Sequence, residues 1–409
     1  MIPAFLWRIT AAVTAPFLTP ELRGVLQDHE EPMAIMLRSH ALKDEEVGPT
    51  VRCIARCGAG TNNVPVARMS ERGIPVFNSP GANANAVKEL ALCSLFLASR
   101  GVAQSIRAVD ELLAQETDAA VIKKRVEAEK KRFGGVEIKG KTLGVVGLGA
   151  IGASLAQAAI NLGMKVVAYD PALSVEQAWK LPGDRITRVM RLEDLLVQAD
   201  YLSLHVPYMP QTHHMLSAEA LRMLKPDCNI INFARGELID TGALCSLYDQ
   251  GAFRGNYIAD FPDKKLQGNP NVLFMPHLGA STEEAEEVSA AMAAEEIRDY
   301  LEHGIIRNSV NFPETQLPRR EGGASRLTIV NRNVPGVLGK ITTLIGEHGV
   351  NILQTVNTSR DDVAYNVVDL AQQPADIAAM QDAIMNVDGV LSSRFITGQP
   401  GKFYRVNDA

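Results

Sequence analysis

Three side chains stand directly after apolar, strand-like runs and are of types that do chemistry together: Arg235 after "CNIINFA", Asp260 after "GNYIA" and His277 after "VLFMP". A guanidinium grips a carboxylate in a planar fork and keeps its charge at physiological pH. An imidazole, titrating at about pH 6.5, gives or takes a proton around neutrality. Hydride exchange at C2 of a 2-hydroxy acid needs a cation that fixes the carboxylate and polarises the carbonyl, and a group that carries the hydroxyl proton. Taken singly, Arg235 reads equally well as a strand-end cap and His277 as part of a Pro-His turn. Their joint placement after two strands favours the chemistry.

A hydride needs an acceptor, and "TLGVVGLGAIGASLAQAAINLGMKVVAYDP" (142–171) has the form of a dinucleotide cradle. A β-branched strand stops at Gly147, and with Gly149 and Gly152 this makes G-x-G-x-x-G, followed by Ile151, Leu155, Ala158, Ala159 and Leu162 at helical spacing. Gly147 permits the tight turn, Gly149 lets backbone approach a pyrophosphate, and Gly152 lets the helix pack on the strand. The next strand ends at Asp170, 18 residues beyond Gly152. A carboxylate there accepts bonds from a ribose diol and repels a 2′-phosphate, so NAD is expected rather than NADP.

These elements belong to a doubly wound parallel sheet, with further strands at 201–207, 228–234, 255–260 and 272–277. Before it lies a smaller α/β pattern with strands near 34–39, 51–58 and 74–80. Long helices over Asn85–Gly101 and Glu284–Gly304 read as the crossings between two lobes, which makes the first lobe discontinuous. After a Pro/Gly/charge-rich linker the order becomes βαββαβ, a separate ferredoxin-like module. The expected division is residues 1–92 with 283–313, 93–282, a linker 314–324, a module 325–400 and a tail 401–409.

A chain of 409 residues holds two or three cores. A net charge of -6 with 22% charged residues offers no footing for nucleic acid or anionic membrane, so local arginines must meet any anionic ligand. The opening "MIPAFLWRITAAVTAPFLTP" is broken by Arg8 and three prolines, is too short to span a bilayer, and reads as an irregular first strand and loop. Cys53, Cys57, Cys93, Cys228 and Cys245 sit in apolar segments without zinc-type spacing, which points to buried thiols in a reducing cytoplasm. His213 and His214, as neighbours, are expected to point in different directions, and no metal is expected.

The motifs "RCGAGTNNV", "NSPGANANAVKELALCSLFLASR", "GLGAIG", "NFARGELIDTGAL" and "PHLGASTEEAEE", followed by "NRNVPGVLGKITTLIGEHGVNI", resemble the D-2-hydroxyacid dehydrogenases with a C-terminal ACT domain. The resemblance covers nearly the whole chain and implies a Rossmann-type NAD domain, a flavodoxin-like substrate domain and a cytoplasmic homo-oligomer, dimer or tetramer. For the ACT-tailed branch it implies oxidation of 3-phosphoglycerate to 3-phosphohydroxypyruvate at the entrance to serine synthesis. It places Ala150, Ile151, His205, Val206, Pro207, Thr212, Ala234, Gly279 and Ala280 at the cofactor groove, where Arg235, Asp260 and His277 also stand. Arg38 and Ser39 resemble the substrate-phosphate contact, with Arg56 as second cation and Gly58, Ala59, Gly60 and Asn83 facing the reacting end.

The family's dyad includes a carboxylate that holds the histidine's tautomer. Relatives supply it as glutamate in "DVF..EP", whereas this chain reads "IADFPDKKLQGNPNV" without one. Asp260 is preferred because it ends a strand, with Asp263 close behind and a distant acid as the remaining possibility. In the tail, Asn331, Asn333 and Asn351 match positions that hold an amino acid in serine-regulated relatives, which implies L-serine as an effector. Other dehydrogenases of the family, acting on glyoxylate, hydroxypyruvate or 2-oxoglutarate, and a non-catalytic NAD-sensing interaction protein are the alternative readings.

Overall fold

The computed structural model describes residues 9–10, 32–173, 178, 185–319 and 325–397. Of the opening segment only Ile9–Thr10 is described, as a short strand. The rest of that segment, residues 320–324 of the linker and the end of the chain from 398 lie outside the described residues. The chain divides into two compact units, Met1–Ala82 with Glu286–Ala409, and Asn83–Ala285.

The first unit holds two sheets. One is parallel, with strands β1 (Ile9–Thr10), β2 (Ala34–Leu37), β3 (Cys53–Arg56) and β4 (Val76–Asn78) side by side in chain order. The second unit is built on a seven-stranded parallel sheet of β5 (Thr142–Val146), β6 (Lys165–Tyr169), β7 (Ile186–Arg188), β8 (Tyr201–Leu204), β9 (Asn229–Asn232), β10 (Tyr257–Ala259) and β11 (Val272–Phe274). Its order β11-β10-β9-β8-β5-β6-β7 reverses between β5 and β8, which opens the ligand crevice beyond their carboxyl ends. Near-continuous Val, Ile and Leu runs form these strands because both faces are covered. Leu143 and Val145 turn to one core with Leu155 and Ala159, while Val146 turns to the other with Leu204 and Ile230.

The second sheet of the first unit is antiparallel, order β13-β14-β12-β15, from β12 (Ser325–Arg332), β13 (Ile352–Arg360), β14 (Val363–Leu370) and β15 (Val390–Ile396). With helices Val337–Glu347 and Ile377–Met385 between them this is βαββαβ.

The unit boundaries fall at 82/83 and 285/286 rather than at 92/93 and 282/283. Helix Ala84–Ser99 does not cross between lobes, because Val87, Ala91 and Leu95 are buried in the core of the second unit. The βαββαβ module does not stand apart either. Val330, Val363, Tyr365 and Val367 share one core with Phe77, Tyr300 and Phe312, and the Tyr365 hydroxyl donates to Gly304 O at 2.8 Å.

Among the cysteines, Cys53, Cys57 and Cys228 are buried, but Cys93 is exposed on helix Ala84–Ser99 and Cys245 is half-buried. An apolar stretch of helix still turns one side outward, and Cys93 lies on it. No helix among the described residues is long and apolar enough to cross a membrane.

Candidate active site

Three glycines shape the nucleotide end of the second unit. Gly147 has φ 90°, and a Cβ there would lie 2.7 Å from His205 O, so β5 and the segment after β8 meet only around a bare backbone. A Cβ on Gly152 would lie 1.9 Å from Gly147 O, which rules out any side chain where the helix closes on the turn. Gly149 is different: a Cβ there meets nothing within 4 Å. Helix Ala150–Asn161 starts at that space with no side-chain cap, leaving its first N–H groups directed at it. Open volume, uncapped N–H groups and an acid at the end of β6 fit a dinucleotide pyrophosphate and ribose.

Asp170 also has a structural task. Its Oδ2 accepts from Leu148 N at 2.8 Å and its Oδ1 from Ala172 N at 2.9 Å, so it pins the glycine turn to β6. Lone pairs remain on both oxygens for a ribose diol. Asp170→Ala is therefore expected to lower kcat/KM for NAD by about tenfold or more while improving NADP little, because the turn loosens as the repulsion disappears. The NAD/NADP ratio of kcat/KM measures this, and a gain in absolute NADP activity above the wild-type NAD value would contradict it.

The His205 ring turns inward, with Nε2 2.9 Å from Ser203 Oγ, and burial pushes its pKa down to about 4. The ring is thus uncharged at neutral pH, and Val206 and Pro207 follow it beyond the end of β8. The Thr212 hydroxyl donates to Pro207 O at 2.8 Å and accepts from Met209 N at 2.8 Å, closing that loop. His213 and His214 do not diverge. Their rings stack with centroids 4.0 Å apart and 20° between planes, because His214 has φ 47° and left-handed backbone folds its ring back onto its neighbour.

Arg235, Asp260 and His277 follow β9, β10 and β11 at the same edge of one parallel sheet. Arg235 is half-buried, with Nη1 donating to Ala234 O at 2.6 Å. Its loop is held from below by Asn232, which is fully buried, donates through Nδ2 to Arg235 O at 2.8 Å and accepts from Ala234 N at 3.1 Å. Asp260 is 1% exposed; its Oδ2 accepts from Gly279 N at 3.0 Å and its Oδ1 is buried without a partner. Burial pushes the Asp260 carboxyl up, while the Gly279 N–H and the charge of nearby His277 work against that rise. His277 is exposed, packed on Phe261 with ring centroids 4.9 Å apart. Asp263 is committed elsewhere, accepting from Thr241 Oγ1 at 2.5 Å and from Lys265 N at 2.9 Å as the cap of the turn Lys264–Leu266.

The first unit gathers the other charged candidates where β2 and β3 end. Arg38 forms an ion pair with Glu286, whose other oxygen is buried without a partner. Arg38 O accepts from Arg56 Nε at 3.2 Å and from Asn63 Nδ2 at 3.0 Å. Gly58, which opens the loop of Gly58, Ala59 and Gly60, has φ 140°, a conformation that favours glycine, and a Cβ there would lie 2.0 Å from Arg56 Nη1, so any side chain would push the guanidinium end aside. Ser39 is exposed beside Arg38. Asn83 falls in the second unit, as the residue before helix Ala84–Ser99.

In the βαββαβ module the three asparagines do not form one set. Asn331 is 3% exposed, and its amide is consumed within the sheet, donating to Arg332 O at 2.7 Å and accepting from Asn366 Nδ2 at 2.6 Å. Asn333 and Asn351 are exposed, with Asn333 Nδ2 donating to Asp361 O at 3.2 Å.

Residues 105–279 match the D-isomer specific 2-hydroxyacid dehydrogenase NAD-binding domain. The D-3-phosphoglycerate dehydrogenase of Escherichia coli strain K12 is 33% identical over 395 residues, which cover 91% of this chain and 90% of that protein. This chain belongs to the D-2-hydroxyacid dehydrogenases. The D-3-phosphoglycerate dehydrogenase of Haemophilus influenzae is likewise 33% identical, over 86% of this chain and 82% of its own. Among solved structures, the apo D-mandelate dehydrogenase of Rhodotorula graminis is 28% identical with a TM-score of 0.57, covering 67% of this chain and 81% of that one.

The dehydrogenase thus takes NAD as its cofactor, and the glycine turn and Asp170 lie inside the matched segment. Two of its polar residues were not visible as site elements in the sequence. Asn232 had a signal, a polar residue ending an otherwise apolar strand three positions before Arg235. Glu286 had none, since "STEEAEE" offers four glutamates and only the fold selects the one that meets Arg38.

Proposed function

We propose that the dehydrogenase oxidises 3-phosphoglycerate to 3-phosphohydroxypyruvate. What carries this reading is the likeness to D-3-phosphoglycerate dehydrogenases, which for the Escherichia coli enzyme extends across 91% of the chain. Arg235 holds the substrate carboxylate and draws electron density from the reacting carbon–oxygen bond. His277 takes the hydroxyl proton as the C2–H bond gives up its hydride, and returns a proton to the carbonyl oxygen in the reverse direction. Bound NAD supplies the acceptor for that hydride. Asp260 is the positioning acid: its carboxylate anchors the loop just after His277 and places a negative charge near the imidazole, whereas Asp263 is held at Thr241 and at the turn Lys264–Leu266.

Arg38, Ser39 and Arg56 are assigned to the substrate phosphate. Arg38→Ala is expected to raise KM for 3-phosphoglycerate by about tenfold or more, with a much smaller effect on an unphosphorylated 2-hydroxy acid. NADH formation from 3-phosphoglycerate, compared with glycerate and 2-hydroxyglutarate, tests the assignment. A preference for an unphosphorylated acid would replace it with another activity of the family.

The reading also takes the protein as a cytoplasmic homo-oligomer regulated by L-serine. Helix Val102–Gln115 leaves Val102, Ile106, Val109 and Leu113 exposed at helical spacing on one side, an apolar stripe suited to pairing. For the effector, Asn333 and Asn351 remain available, since a buried Asn331 serves the sheet. Millimolar L-serine is expected to inhibit, and Asn351→Ala to abolish inhibition with uninhibited kcat unchanged. Full activity at millimolar serine, with no heat of binding, would remove the regulatory part alone.

A further inference from the structure

Within the first unit a cavity of about 300 Å³ lies where the βαββαβ module meets the parallel sheet. Its module wall is one face of β12 and β15, where Thr328 pairs with Arg394 and Val330 with Ser392. Its opposite wall is made by Arg52 before β3, by Arg72 and Gly73 before β4, and by Tyr300 near the end of helix Glu283–His303. Three arginines line it, and no Asp or Glu does among the described residues.

The arginines differ in what they already do. Arg72 is balanced by Asp44 at 2.9 Å and also donates to Val47 O at 2.7 Å. Arg394 donates to Tyr300 O and Leu301 O, each at 2.7 Å, and stacks on the Tyr300 ring at 4.9 Å. Carbonyls and a ring accept its hydrogens without neutralising its charge. Arg52 has neither a hydrogen bond from its guanidinium nor an ion pair among the described residues. Both Arg394 and Arg52 act on the Tyr300 phenol, opposing the upward push of burial, so their fields converge on the same wall. The Ser392 hydroxyl makes no hydrogen bond within the described residues and stands close to Gly73, where a Cβ would lie 3.3 Å from its Oγ.

We propose that this cavity binds a small phosphate dianion, held between Arg52 and Arg394 with Ser392 as a hydroxyl donor, which ties the βαββαβ module to the first lobe. Two lining charges lack a counter-charge once Arg72 is paired with Asp44, and a doubly charged phosphate supplies both. Guanidinium forks match phosphate oxygens in geometry as well as charge. The volume suits a phosphate alone or a three-carbon phosphate ester, at the lower end of small-molecule pockets. Arg394 already holds the last carbonyls of helix Glu283–His303, so a ligand on it acts on that helix end.

The test is calorimetric titration of the full-length protein with inorganic phosphate and, separately, glycerol phosphate, at constant ionic strength. A phosphate site is expected to persist when Arg38, Arg56 and Arg235 are all replaced by alanine, which removes the cations assigned to the substrate. Arg52→Ala is expected to weaken that site at least tenfold and to cancel the phosphate-dependent rise in Tm, with Arg52→Lys restoring part of both. Arg52 is exposed and unbonded through its guanidinium, so its truncation leaves the phosphate-free Tm near wild type; Ser392→Ala supplies a second, milder loss. Tighter binding of the ester would mark a phosphorylated metabolite as the ligand, and tighter inorganic phosphate the free ion. Unchanged affinity in Arg52→Ala and Ser392→Ala, or loss of all phosphate binding in the Arg38/Arg56/Arg235 triple variant, would overturn the proposal.

Discussion

His277→Ala and Arg235→Ala are each expected to lower kcat/KM by about 10²–10⁴, the range associated with a positioned proton carrier or a charge-stabilising donor. On the proposed roles, the loss should fall on kcat for His277, as a proton carrier in the transition state, and on both KM and kcat for Arg235, as a binder of the ground-state carboxylate too. Neither change should disturb the fold. His277 is exposed, and the Arg235 loop is fixed through backbone atoms by the buried amide of Asn232. Quenching of protein fluorescence by NADH separates chemistry from binding: near-normal NADH affinity is expected, and a parallel loss would reassign both residues to the cofactor cradle. Asn232→Asp provides a further check, since it removes the amide donor beneath Arg235 while leaving Arg235 itself in place.

Asp260→Asn should reduce activity and raise stability at once. Burial holds the Asp260 carboxyl above its unfolded value, so its contribution to stability is present below the unfolded carboxylate range and is lost as pH rises through the folded value. Above its folded value the carboxylate is ionised while 1% exposed with Oδ1 unpartnered, which costs stability. An amide of the same shape still accepts from Gly279 N. The variant is expected to melt about 2–4 °C higher at neutral pH, for each kcal/mol relieved, and to lose that advantage toward pH 3. In the same protein kcat/KM should drop about tenfold or more, and the pH limit of ketoacid reduction should move to lower pH once the attraction for protonated His277 is gone. A lower Tm at pH 7 together with an unmoved pH profile would leave Asp260 a purely structural anchor of the Gly279 loop.

Much of the site was legible because it depends on local rules. The glycine triplet, the strand before it, the helix after it and the acid 18 residues on lie within one βαβ unit, where turn chemistry and short-range periodicity operate. Arg235, Asp260 and His277 were legible for a related reason: in a doubly wound sheet the residues just past the strands face the ligand edge. Less of the organisation was legible. Helix Ala84–Ser99 is apolar enough to serve either lobe, and only the packing of Val87, Ala91 and Leu95 assigns it to the second. The βαββαβ module could be recognised as a pattern, but not its burial of Tyr365 against Tyr300 and Phe312.

The sequence by itself determined the dinucleotide cradle, the parallel sheet and the cation and imidazole at its edge, because each follows from backbone sterics and apolar periodicity over a few residues. Tertiary structure alone decided which polar atoms remain free. Asp263 turns its oxygens to Thr241 and Lys265, whereas Asp260 keeps one unpartnered beside the His277 loop. Asn331 disappears into the sheet through Asn366, and Arg38 meets Glu286 from a segment far along the chain. A carboxylate or amide has a fixed number of donors and acceptors, and which partners consume them depends on segments brought together only by folding.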